Sequence, residues 1–168
     1  MESTITNEVF LQKLTDKFGD AIISSVEDYG MLTVTADSSK NIDILNYLFD
    51  EPSLQVQFMT DLTGVHYPEQ ELAFCVVYHL HSLVNNYRVR FKFFIGGEIP
   101  TIASATSVYA TANWMERETY DFFGIIFEGH PDLRRILNVD EMVAFPLRKE
   151  FPLEDPNRID KKDYYFGR

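Results

Sequence analysis

Apolar positions recur along the chain with two different periods, and each period predicts an element. Val9, Phe10, Leu14 and Phe18, with Lys13 among them, fall on one helical stripe that Asn7 can cap and Gly19 ends. Ile22 to Val26 and Met31 to Thr35 are short β-type runs separated by Glu27-Asp28-Tyr29-Gly30, which predicts a hairpin. A second helix, capped by Ser38 or Ser39, carries Ile42, Leu45 and Leu48 or Phe49. It stops before Pro52, because proline disfavours helix in the residue ahead of it.

Three longer strands follow. Leu54 to His66 alternates only in part and contains Gly64, the mark of a bulge or a close contact. Leu72 to Ser82 is apolar on both faces, as a covered central strand is. After a turn at Asn85-Asn86, Tyr87, Val89, Phe91, Phe93 and Ile95 alternate with Arg88, Arg90 and Lys92, giving one buried and one basic face. Thr106 or Ser107 can cap a third helix whose stripe is Val108, Ala112, Met115, Thr119 and Phe122, and Gly124 closes it.

The order α-β-β-α-β-β-β-α over residues 1–124 predicts an α+β fold: a two-layer domain with helices packed on a mixed or antiparallel sheet. From 125 to 168 neither period persists, and Pro131, Pro146, Pro152 and Pro156 interrupt the chain. That segment nevertheless carries Phe127, Leu133, Ile136, Leu137, Phe145, Leu147, Phe151 and Tyr164-Tyr165-Phe166. It reads as an extended, irregular C-terminal tail shaped to lie on another protein, since a disordered tail is poor in such residues.

Charge narrows the partners. The net charge of −11 over 168 residues repels nucleic acid and anionic membrane surfaces at long range. Residues 1–100 carry net −8 and residues 101–168 net −3, and six of the nine bases in the latter part are arginines, the cation that interfaces favour. A single cysteine, Cys75, excludes an internal disulfide and cannot alone hold a cluster. The start, Met1-Glu2-Ser3-Thr4, lacks the pattern of a signal peptide, and no apolar run reaches membrane-spanning length.

The chemistry-bearing residues concentrate between Glu116 and Leu137. Glu116, Glu118 and Asp121 crowd the negative end of the third helix, where carboxylates repel one another and the helix dipole. Arg117 and Asp121 are neighbours at i,i+4, but the remaining cations must come from beyond Gly124: Arg134, Arg135, Arg148 and Lys149. Either the tail folds back or docks nearby, or these charges form a solvated face. His79 and His81 share a strand face with Cys75, without further ligands at a zinc spacing, so partly buried sheet histidines are preferred over a metal site. His130, between Gly129 and Pro131 with Glu128 and Asp132 close by, is a candidate acid/base group, and a structural hydrogen-bonding role is preferred. No glycine-rich nucleotide loop, phosphate loop or nucleophile elbow occurs.

Glu116-Arg117-Glu118, Asp121 and Gly124, Gly129-His130-Pro131, and Leu133-Arg134-Arg135-Ile136-Leu137 together resemble the signature of the C subunit of bacterial NADH-quinone oxidoreductase, respiratory complex I. A second block, Pro146-Leu147-Arg148-Lys149 followed by an acid, Phe151, Pro152 and Leu153, matches in order and distance. Two departures are Ala144, where the family usually has glycine, and Glu150, where it has aspartate. The resemblance implies a non-catalytic peripheral-arm subunit on the cytoplasmic side of the bacterial inner membrane. It would hold no cofactor: flavin, iron-sulfur clusters and quinone belong to partner subunits. It would brace the quinone-reducing part, chiefly against the D subunit and near the B and I subunits, within a complex that passes electrons from NADH to quinone. Glu116, Arg117, Glu118, Asp121, Gly124, His130, Pro131, Arg134, Arg135, Pro146, Arg148, Lys149 and Phe151 are then interface or structural residues. The alternatives are the equivalent subunit of a membrane-bound hydrogenase or ferredoxin-linked oxidoreductase, and a free-standing acid/base enzyme using His130.

Overall fold

A computed structural model describes residues 5–151. The first helix, α1 (Asn7–Phe18), is capped by Thr6, whose side chain accepts the Val9 N–H. The expected cap, Asn7, instead lies one residue inside and accepts a hydrogen bond from the Tyr87 hydroxyl at 2.7 Å. Phe10 and Leu14 are buried, whereas Val9 of the expected stripe is exposed. Strands β1 (Ile22–Asp28) and β2 (Met31–Ala36) pair antiparallel across Tyr29-Gly30, both at positive φ, the geometry that suits a two-residue hairpin turn.

Asp37, not Ser38 or Ser39, caps the short turn of helix that leads into α2 (Asn41–Asp50). Ile44, Leu45 and Leu48 of α2 enter the core. Strands β3 (Phe58–His66), β4 (Phe74–Ser82) and β5 (Tyr87–Ile95) complete a five-stranded sheet in the order β1-β2-β5-β4-β3. The β2–β5 pair is parallel and the rest antiparallel, so the sheet is mixed. Leu54 and Val56 are fully buried but precede β3 as irregular chain.

One sheet face carries Leu32, Val34, Val76, Tyr78, Phe91 and Phe93, and the helix layer packs on it. The third helix, α3 (Ala112–Phe123), lies against β3 at Gly64, where an added Cβ would meet the Phe123 ring at 2.8 Å and the Thr119 methyl at 3.1 Å. This is the close contact that the glycine implied. Ser104 caps the short turn Ala105–Ser107 that precedes α3, so Thr106 and Ser107 are not its caps. Two strands of three residues each, β6 (Thr101–Ala103) and β7 (Ile126–Glu128), pair in parallel on either side of α3. Ile125 and Phe127 belong to the core, so the packed body continues past Gly124.

Candidate functional site

The acid cluster at the end of α3 divides into one inward strut, one clamp and one outward charge. Glu116 is fully buried, and its carboxylate accepts the Ser104 hydroxyl and the Ala105 N–H, each at 2.6 Å. It thereby ties α3 to the loop behind β6. Burial pushes its carboxyl up to about 7, against the opposing pull of those two hydrogen bonds.

Asp121 is also fully buried. Oδ2 accepts three successive backbone N–H groups, from Ile136 at 3.1 Å, Leu137 at 2.8 Å and Asn138 at 2.9 Å. Oδ1 accepts Arg135 Nη1 at 2.7 Å and the Asn138 amide at 3.0 Å. Burial pushes this carboxyl upward, but the hydrogen bonds from Asn138, Leu137 and Arg135 outweigh it and hold it well below the usual carboxylate range. The same Arg135 donates to the carbonyls of Asp121, Met142 and Ala144 and lies 5.1 Å from the Phe145 ring centroid. One guanidinium thus fastens three backbone carbonyls, one on α3 and two on the 142–144 segment.

Arg117 does not pair with Asp121 as the i,i+4 spacing suggested. It is buried, stacks on Trp114 at 5.2 Å, and donates to the carbonyls of Arg134 and Arg135 at 3.2 Å each. Arg148 donates to the Phe123 carbonyl at 2.6 Å and lies between the Phe74 and Phe145 rings, 4.9 and 4.7 Å from their centroids. Gly124, left-handed at φ 71°, fits beneath them: a Cβ there would meet Phe145 at 2.5 Å and Arg148 at 2.6 Å. The Leu147 N–H bonds the Phe122 carbonyl, the Lys149 N–H bonds His66 Nδ1, and Glu150 lies 3.4 Å from the same nitrogen. Residues 133–150 therefore fold back on α3 through arginine forks and backbone bonds.

His130 is committed locally. Its Nδ1 accepts the Asp132 N–H at 3.0 Å, which leaves Nε2 to donate to the Asn113 carbonyl at 3.0 Å. Both ring nitrogens are thus engaged with backbone. Glu118 is exposed and forms no ion pair among the described residues, and Arg134 points outward, paired with Asp132 at 2.9 Å. Pro131 and Phe151 are exposed and Pro146 is half-buried. The fold-back leaves four apolar side chains exposed along it: Leu137, Val139, Leu147 and above all Val143, which is 95% exposed. Pro152, Leu153 and the aromatic triplet Tyr164-Tyr165-Phe166 lie outside the described residues.

Ser104, His66, Phe145 and Asn138 are the partners that sequence reasoning missed. Asn138 alone carried a signal, as a turn-former directly behind an apolar run. On the sheet, His79 accepts a hydrogen bond from Arg90 Nε at 2.8 Å, and among the described residues no group of three or more potential metal ligands occurs. No helix there is long and apolar enough to cross a membrane.

Residues 34–157 match the family described as "Respiratory-chain NADH dehydrogenase, 30 Kd subunit". The NADH-quinone oxidoreductase C subunit of Citrifermentans bemidjiense is 42% identical over 146 residues, 87% of this chain and 89% of that protein. The protein of the same name in Geobacter sulfurreducens is 44% identical over 147 residues, with 87% and 90% covered. Among solved structures, a trypsin-resistant fragment of Nqo5 superposes with a TM-score of 0.64 at 27% identity, covering 74% of this chain and 98% of the fragment. A chain of the membrane-bound sulfane sulfur reductase, an archaeal respiratory membrane complex, shares the fold, with a TM-score of 0.73 at 24% identity over 87% of this chain and 85% of that one.

Proposed function

The chain belongs to the 30 kDa-subunit family of respiratory-chain NADH dehydrogenase, and on that premise we propose that it is a non-catalytic brace of a membrane-bound NADH-quinone oxidoreductase. In this reading it sits peripherally on the cytoplasmic side of the inner membrane. It holds no flavin, cluster or quinone, and its segment from residue 125 onward grips the quinone-reducing part, chiefly the D subunit and near the B and I subunits. The observation that carries the reading is the exposure of Leu137, Val139, Val143 and Leu147 on a segment that Asp121, Arg135 and Arg148 hold in place. A single surface apolar residue needs no explanation, but four exposed on one backbone segment pinned by buried charges fit a pre-shaped contact surface.

The trypsin-resistant fragment of Nqo5, 98% of which aligns to 74% of this chain, supports a protease-protected body as the core of such a subunit. The second reading is that the parent is a related respiratory membrane complex with another electron donor, since the fold itself recurs in a chain of the sulfane sulfur reductase. Co-purification from solubilised membranes decides between them by whether NADH-binding flavoprotein subunits come with the chain. The bracing role itself is tested with Val143→Asp: the complex is expected to lose the chain while the isolated chain keeps its melting temperature. Normal assembly with slow turnover would overturn it.

A further inference from the structure

The sheet face opposite the helix layer carries a row of three cations, with Asp61 two strands away on the same face. Between residues 41 and 116 the only bases are Arg88, Arg90 and Lys92, against eight acids, and strand alternation puts all three on one face of β5. Their spacing along the strand is roughly 6.7 Å from one to the next. None of the three forms an ion pair among the described residues, although aligned like charges repel. Thr33 and Thr35 flank the row on β2, and His81 and His79 face it in register on β4.

His79 does not add to its charge as a solvated imidazole would. It accepts from Arg90 Nε at 2.8 Å, and burial followed by that guanidinium lowers its pKa, so it holds Arg90 as a hydrogen-bond acceptor. His81, opposite Arg88, is only 9% exposed, and its Nε2 is buried without a hydrogen-bond partner. A buried polar atom left unsatisfied costs stability until something covers and bonds it. Phe58 and Val26 stand exposed on the same face, and a cleft of about 290 Å³ opens between Met31, Asp61, His79 and Arg88. Asp61, 3.4 Å from His79 Nδ1, is the acid at this cleft.

We propose that this sheet face, where Arg88 is exposed and Arg90 and Lys92 are half-buried, is a second docking surface, and that it receives an acidic segment of a partner protein laid along β5. Carboxylates at alternate positions of an extended segment would meet Arg88, Arg90 and Lys92 in turn, while Phe58 and Val26 supply the apolar contact beside them. A partner's side chain reaching the cleft would meet His79, which lines it and whose Nδ1 is also without a hydrogen-bond partner among the described residues. The net charge of −11 disfavours nucleic acid and an anionic bilayer, which would be repelled by the rest of the molecule before three cations could hold them. The proposal rests on the bracing reading only for the complex in which the partner is sought.

The full chain in its membrane complex is the material for the test. Lys92→p-benzoylphenylalanine, irradiated in the complex, is expected to cross-link to a stretch rich in Asp and Glu in another subunit. The double variant Arg88→Glu, Lys92→Glu is expected to reduce recovery of the chain in the complex at least about tenfold at 0.15 M salt. Reversing the mapped acids to lysine is expected to restore it. Arg88→Gln, Lys92→Gln serves as the fold-preserving counterpart, with an unchanged melting temperature and an intermediate loss. A cross-link to lipid, to nucleic acid or to a segment without acids would overturn the proposal, as would no cross-link or full recovery of the Glu variants. If Val143→Asp strips the chain from the complex and the sheet variants do not, this inference falls and the bracing reading stands. The reverse pattern sinks the role of the four exposed apolar side chains and leaves the sheet surface.

Discussion

Glu116 Oε1 receives the Ala105 N–H at 2.6 Å inside a fully buried site, so one carboxylate fixes where the chain turns from β6 into α3. An ordinary glutamate gives up its proton near pH 4.5, whereas Glu116 keeps it to about 7. The native state therefore binds the extra proton between those values, and the group's contribution to stability falls as pH rises through that window and is level above it. At 1.36 kcal/mol per unit the full loss is roughly 3 kcal/mol. Glu116→Gln keeps an acceptor for Ala105 and discards the charge, so its unfolding free energy should stay flat from pH 5 to 8 where the parent declines. Urea denaturation at four pH values checks this.

Asp121 titrates in the opposite sense. Its carboxyl lies below the usual range, so its stabilising contribution is present above about pH 4 and is lost only as the solution becomes more acid. Asp121→Asn leaves Arg135, itself nearly buried, facing a neutral amide, a change that costs on the order of 3–5 kcal/mol locally. Trypsin cleavage after Arg134 and Arg135 should then accelerate on the order of a hundredfold, because proteolysis follows the population of the opened segment. Unchanged cleavage would mean that the backbone bonds of Arg148 and Leu147 suffice.

Gly64→Ala should lower stability by about 1–3 kcal/mol, since its Cβ would lie against the Phe123 ring and the Thr119 methyl at once. The backbone there is not left-handed, so the cost is space alone. A melting curve of the variant, and partial recovery with Phe123→Leu, check it.

Reversing the outward charges, Glu118→Lys or Arg134→Glu, should lower assembly of the complex while leaving the isolated chain folded, with stability changed by no more than about 0.5 kcal/mol. Native gel electrophoresis of solubilised membranes measures the first, and thermal unfolding the second. Normal assembly with impaired turnover would assign these charges to the reaction instead.

How much of this was legible from the residues differs by element. The Tyr29-Gly30 hairpin, the β5 alternation and the Gly64 contact each rest on one local cause, period or turn chemistry, and each is present. The start of α1 shifted by one residue and that of α3 by several, to Ala112, because Thr6, Asp37 and Ser104 compete as caps with the polar residues beside them and a separate short turn precedes α3. Strands β6 and β7 are three residues each, too short for a period, and exist through pairing across α3. Crowded acids at the end of α3 demanded cations, and Arg135 answers Asp121. Most of that carboxylate's compensation, however, comes from the N–H groups of residues 136–138, which no side-chain pattern announces. Glu116 and Glu118 are the same residue type two apart, and only the position of Ser104 and Ala105 makes one internal.

Cys75, the one cysteine in the chain, lies wholly inside β4 with burial raising its thiol to about 11. At neutral pH it is a protonated, unreachable group, silent toward alkylating reagents for as long as the sheet holds. A second thiol engineered on the surface can therefore carry a spectroscopic label without removing the native one. Once the sheet opens, the native thiol records the event: its rate of modification becomes a built-in clock for unfolding, readable by mass alone.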